Sequence, residues 1–111
     1  MKTEAKGLIS SVELNNHLKS NTDLTVIDVR SSWEYKAGHI PGAIHIPFWA
    51  SLSRHGRIES DPETPMVLTC AHGPRAILAK LIYSLLGFKE IFLLAGHMKG
   101  WQKMDLPLAK P

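Results

Sequence analysis

The chain's one cysteine, Cys70, stands where a nucleophile could be prepared. It closes the apolar, strand-like run Met66-Val67-Leu68-Thr69 and leads into Ala71-His72-Gly73-Pro74-Arg75-Ala76. In open parallel α/β sheets, ligands bind beyond the carboxyl ends of the strands. A turn feeding a helix N-terminus aims several backbone N–H groups at one point and so cradles an anion. With Cys70 at the base of such a turn, the anion expected there is its own thiolate. A helix terminus alone contributes about 0.3–1 kcal/mol, so direct N–H···S contacts and the Arg75 cation are expected to add to it. Gly73 permits backbone angles that a Cβ would block, and Pro74 gives up an N–H that a first helical position does not use. Ala71 is small and should leave the mouth open, while His72 and Arg75 are donors able to steer an anionic substrate. The plainer alternative is a buried strand-end cysteine with no chemistry. The strand–turn–helix setting favours the working thiol.

The elements that must position this loop follow from periodicity. Short β-like runs alternate with helical patterns, the rhythm of an α/β domain with a mostly parallel sheet. Gly7-Leu8-Ile9 reads as a short first strand. Ser10 with Glu13 forms a capping pattern for a helix from about Ser11 to Ser20. Leu24–Ile27 is a buried strand ending at Asp28-Val29-Arg30, after which Ser31 and Ser32 offer an N-cap for a short helical turn through Tyr35. Ala43–Ile46 is a further strand, Phe48 to Leu52 a helical turn, and 53–65 an irregular surface connection. Met66–Thr69 and Ile91–Leu94 complete five strands. The clearest helix runs from Arg75 to Leu86, where Ile77, Leu78, Leu81, Ile82 and Leu85 share one face and are expected to enter the core. Pro74 suits its first position and Gly87 its end. A last short helix covers about 98–103. The expected fold is a three-layer α/β/α sandwich around a five-stranded, mostly parallel sheet.

Composition narrows the function. The 111 residues, of which 44% are hydrophobic and 21% charged, suit one domain over 1–111 with its own core. Thirteen Lys and Arg against ten Asp and Glu leave a net charge of +3 without any basic stripe, so a nucleic-acid partner is not expected. No apolar run is long enough to span a bilayer and no leader is visible, which predicts a cytoplasmic protein, or a periplasmic one if a leader has been removed. A single cysteine excludes an intrachain disulfide and a Cys-only metal site. The six histidines, at 17, 39, 45, 55, 72 and 97, form no spaced ligand pair, so neither metal nor cofactor is expected. His39 and His45 read as a turn and a strand residue with ordinary hydrogen bonds. Asp28 and Arg30 read as a structural ion pair near the Cys70 loop. Trp33, Trp49 and Trp101 read as packing residues.

Three segments together resemble the rhodanese-like sulfurtransferases over nearly the whole chain. Cys70-Ala71-His72-Gly73-Pro74-Arg75-Ala76 resembles the family's active-site loop. Asp28-Val29-Arg30, with Trp33-Glu34-Tyr35 and Gly38-His39-Ile40-Pro41-Gly42-Ala43, is similar to its N-terminal signature. Leu94-Ala95-Gly96-His97, with Trp101 and Leu106-Pro107, resembles its closing segment. The resemblance implies a Cys70 persulfide that takes a sulfane sulfur from a small donor such as thiosulfate. The acceptor it implies is cyanide, a thiol or a sulfur-accepting protein. This chain departs from the pattern at Ala71, where many members have a basic residue, and at His97, where many have a second glycine.

Loop length separates this chemistry from that of cysteine phosphatases, which place five residues between Cys and Arg to wrap a phosphoryl group. Here four residues separate Cys70 from Arg75. The shorter loop suits a single sulfur better than a tetrahedral phosphate. A reading from another class is a rhodanese-like binding or redox-sensing module whose thiol does no catalysis.

Overall fold

The computed structural model describes residues 7–58, 61–71 and 73–110. Five strands, β1 (Leu8–Ile9), β2 (Thr25–Asp28), β3 (Ile44–His45), β4 (Met66–Thr69) and β5 (Ile91–Leu94), form one sheet in the order β1-β5-β4-β2-β3. Every pairing in it is parallel, so the sheet is wholly rather than mostly so. The parallel pairing brings the carboxyl ends of β2, β4 and β5 to one edge, with Asp28 in register with Thr69.

The helices are α1 (Ser11–Lys19), α2 (Ser32–Ala37), α3 (Ser51–Arg54), α4 (Pro74–Leu85) and α5 (His97–Lys103). With the 3-10 turn His55–Arg57, α3 makes the start of the connection expected to be irregular at 53–65 helical instead. Ser10 caps α1 by accepting the Glu13 N–H at 3.0 Å. Pro74 opens α4, and Gly87, at φ +101°, follows its last turn in a conformation that side chains rarely adopt. Met66–Thr69 and Ile91–Leu94 fall where their β-branched and apolar runs predict.

Alternate strand residues feed two cores, one on each face of the sheet. Val26, Val67 and Leu94 point to a core shared with Leu14 of α1 and with Met98 and Trp101 of α5. Ile27, Met66, Leu68 and Ile91 point to the other, shared with Ala76, Ala79 and Tyr83 of α4. The layered α/β/α architecture is therefore as expected, but one face is not. The predicted core stripe of α4 faces outward: Ile77, Leu78, Leu81 and Leu85 are exposed, and the small residues Ala76 and Ala79 face the sheet. The side of α4 that faces the sheet carries Ala76, Ala79 and the single large residue Tyr83, so its core position is filled by one ring between methyl groups rather than by the leucine stripe. Trp33 and Trp49 are also exposed rather than packed, whereas Trp101 is buried and donates its indole N–H to the Pro107 carbonyl at 2.9 Å.

Candidate active site

Cys70 lies immediately after β4, between the ends of β2 and β5. The Val29 N–H donates to the Thr69 carbonyl at 3.0 Å, and the Met98 N–H to the Cys70 carbonyl at 3.0 Å, so the neighbouring loops are sewn to the cysteine's own strand. The Gly73 N–H donates to Cys70 Sγ at 2.8 Å. Gly73 has φ +131°, in the region favouring glycine, and a Cβ there would sit 3.3 Å from Nε2 of His97. Its lack of a side chain thus serves both the backbone turn and the close approach.

The surroundings of the sulfur are tighter than the sequence suggests. Cys70 is wholly buried, at 0% exposure, and joins the core cluster that contains Val29, Leu68 and Ala76. Among the described residues, Gly73 supplies the one backbone N–H recorded on the sulfur. Pro74 has no N–H to give. The Cys70 N–H itself donates to Nδ1 of His97 at 3.3 Å. His72, expected at the mouth, lies outside the described residues.

Arg75 is not a cation free to face a substrate. Its Nη1 and Nη2 donate to Oε1 and Oε2 of Glu34 at 2.7 and 3.1 Å, a two-pronged pair that joins α4 to α2 across the carboxyl end of the sheet. Ser31 adds its N–H and hydroxyl to Glu34 Oε1, at 3.1 and 2.8 Å. The Arg75 hydrogen bonds, opposed by partial burial and reinforced by Ser31, hold the Glu34 carboxyl down at about 2. Glu34 in turn raises Arg75 further into its protonated range, burial opposes this, and the charge of Cys70 adds a smaller push in the same direction. The Arg75 charge therefore acts on the sulfur already compensated by Glu34.

Asp28 and Arg30 form the structural pair the sequence suggests. Arg30 Nε donates to both Asp28 oxygens, Nη2 donates to Oδ2 at 2.8 Å, and the same Nη2 reaches the Gly38 carbonyl at 2.7 Å. Both residues are buried. Tyr35 is stacked against His39 and His45, with ring centroids at 3.7 and 4.7 Å. His45 Nε2 hydrogen-bonds to the Arg30 carbonyl at 2.7 Å, and His39 Nδ1 to the Tyr35 carbonyl at 2.9 Å, so both histidines support the turn beside the site.

Beside the loop is a cavity of about 350 Å³ whose lining includes Arg30, Trp33, Ala71, Met98, Lys99 and Gln102. Ala71 reaches this cavity but Cys70 does not line it, so the small residue opens the approach without exposing the sulfur. Sequence reasoning missed Glu34 as the partner of Arg75, and Trp33, Lys99 and Gln102 as the walls of the approach. A Ser31–Glu34 capping pattern was the available signal for Glu34; for Lys99 and Gln102, on an exposed helix surface, there was none.

The family model of the rhodanese-like domain matches residues 10–104, and the chain belongs to that family. A protein named sulfurtransferase from Allochromatium vinosum is 27% identical over 103 residues, covering 93% of this chain and 94% of that one. The thiosulfate sulfurtransferase GlpE of Coxiella burnetii is 30% identical over 87 residues, covering 77% and 78%. The putative sulfur carrier protein YrkF of Bacillus subtilis is 29% identical over 93 residues, and the match spans only 49% of its length. Among solved structures, a rhodanese-related protein from Thermoplasma volcanium superposes with a TM-score of 0.77 at 28% identity, covering 93% of this chain and 97% of that one. A rhodanese-like domain from Anabaena reaches a TM-score of 0.84 at 20% identity, covering 96% and 81%, which is a likeness of fold.

Proposed function

We propose that this chain is a sulfurtransferase that carries a sulfane sulfur on Cys70. The observation that carries the reading is the placement of Cys70 at the carboxyl end of β4, with the Gly73 N–H on its sulfur at 2.8 Å. A backbone N–H aimed at Sγ is a donor able to stabilise the negative charge that returns to this atom as the outer sulfur leaves. Sulfurtransferase-named relatives support the same class.

The chemistry is a double displacement. The Cys70 thiolate attacks the outer sulfur of thiosulfate; a Cys70 S–S bond forms, the donor's S–S bond breaks, and sulfite departs with the bonding pair. The terminal sulfur of the Cys70 persulfide is then taken by cyanide, giving thiocyanate, or by a thiolate, giving a new persulfide, and the Cys70 thiolate is regenerated. Charge balances in both halves without a general base, because thiolate and donor enter ionised. Splitting the transfer through a covalent intermediate predicts ping-pong kinetics. The compensation of Arg75 by Glu34 leaves thiosulfate little uncompensated positive charge on the described loop, which favours a donor other than thiosulfate as the better substrate.

Whole-protein mass spectrometry after exposure to thiosulfate and to polysulfide tests this. The expected result is a gain of one sulfur, about 32 Da, that is absent in Cys70→Ala. No adduct with any sulfane donor would overturn it. The complete burial of Cys70 supports the second reading, a rhodanese-like module with an idle thiol, and the unmodified mass is what that reading expects.

A further inference from the structure

The outward face of α4 is the least expected surface of the molecule. Its exposed positions are Pro74, Ile77, Leu78, Leu81, Ser84 and Leu85, with no charged residue among them. The one lysine of the helix, Lys80, leans elsewhere, its Nζ lying 3.2 Å from where a Cβ on Gly7 would stand. The short helical segments that precede β4 pack against α4 and carry two more exposed apolar side chains, Trp49 and Leu52. These two, with Ile77, Leu78, Leu81 and Leu85, are 53–80% exposed. Summed over the six, the exposed area is on the order of 700 Å², and the four side chains of α4 supply the larger part of it, against roughly 300–600 Å² for the largest patch on a typical monomer. The sum is close to the roughly 800 Å² that each partner contributes to a standard interface.

We infer that this face is the interface between two copies of the chain, paired about a two-fold axis at Leu81. Spacing supports a self-complementary partner. Ile77, Leu81 and Leu85 lie four residues apart on one ridge, symmetric about the middle residue. When two such helices meet antiparallel across a two-fold axis, Leu81 packs on Leu81 of the partner subunit, and Ile77 packs near Leu85 of the partner subunit. Ridges spaced by four residues interdigitate in the commonest helix-packing class. Charge supports it too: an acidic protein or an anionic membrane would be recognised by cations, and the exposed face of α4 has none. The α4 parts of the two faces meet without opposing like charges, with Arg54 of α3 outside the ridge formed by Ile77, Leu81 and Leu85. The pairing also leaves the approach to Cys70 clear, because the cavity is walled by α2, α5 and Ala71, away from this face. The inference stands whether or not Cys70 transfers sulfur.

Sedimentation velocity of the intact chain, from low micromolar to several hundred micromolar, is the test. The wild type is expected to sediment at twice the 12.3 kDa of the chain. Leu81→Glu and Leu81→Lys should each weaken the dimer at least about a hundred-fold, by placing like charges on the axis. An equimolar mixture of the two should restore a mixed dimer, since opposite charges then meet. Leu85→Glu provides the same loss should either Leu81 variant fold poorly by circular dichroism. A wild type that stays monomeric, a dimer that survives these variants, or a mixture that fails to pair would overturn the inference. So would a monomer that floats with anionic vesicles, which would assign the face to a membrane.

Discussion

The two helical layers cover the same sheet in opposite ways. On one face, α1 and α5 insert large residues, Leu14, Met98 and Trp101, into the core. On the other, α4 presents Ala76 and Ala79 inward, with Tyr83 as its one bulky buried side chain, and keeps its leucines outside. Both layers carry apolar residues at helical spacing. The space under the helix, rather than periodicity, decides which apolar face is buried. With Tyr83 and two alanines filling the space beneath it, α4 leaves Ile77, Leu78, Leu81 and Leu85 outside.

Three substitutions test that contrast, beginning with the largest expected effect. Trp101→Ala empties the most filled position of the α5 layer and should cost about 3–5 kcal/mol, read as a lower urea midpoint at unchanged slope. Ala79→Leu should cost about 1–3 kcal/mol by overfilling the narrow space beneath α4; an unchanged midpoint would mean that α4 is not seated closely and would remove the contrast. Glu34→Gln breaks the pair that ties the layers together through Arg75, and should cost about 1 kcal/mol or less near neutrality because both side chains are partly solvated.

Glu34 also sets a pH signature. Its folded carboxyl is depressed to about 2 from an ordinary 4.5. A depressed carboxyl contributes stability that is fully present above the ordinary value and lost as pH falls through the folded one. The wild type should therefore lose more stability than Glu34→Gln between about pH 4.5 and pH 2. Parallel slopes for the two proteins in that window would show that the pair does not tie the layers together.

Much of the site's frame was legible because its determinants are local. Ser10 and Glu13 announce the start of α1, Pro74 and Gly87 bracket α4, and Asp28 and Arg30 are close enough in the chain to pair wherever the turn is tight. Cys70 could be placed at a strand end because β4 is four buried residues in a row. The contacts that shape its reactivity could not be read in this way. Glu34 and Arg75 are 41 positions apart, and Cys70 and His97 are 27 apart. In the sequence His97 is one of six histidines and a departure from a glycine, with no sign of a contact to Cys70. In the fold, at φ +50°, it accepts the Cys70 N–H and lies against Gly73.

The amino-acid order alone thus determined the strands, the limits of α1 and α4 and the one available nucleophile, because propensity, capping and turn chemistry act over a few residues. Tertiary packing decided that the thiol is covered, that Arg75 is already engaged, and that the leucines of α4 face outward. Each of these depends on how closely distant segments approach. Such distances arise from the packing of whole layers, which no local window of sequence encodes.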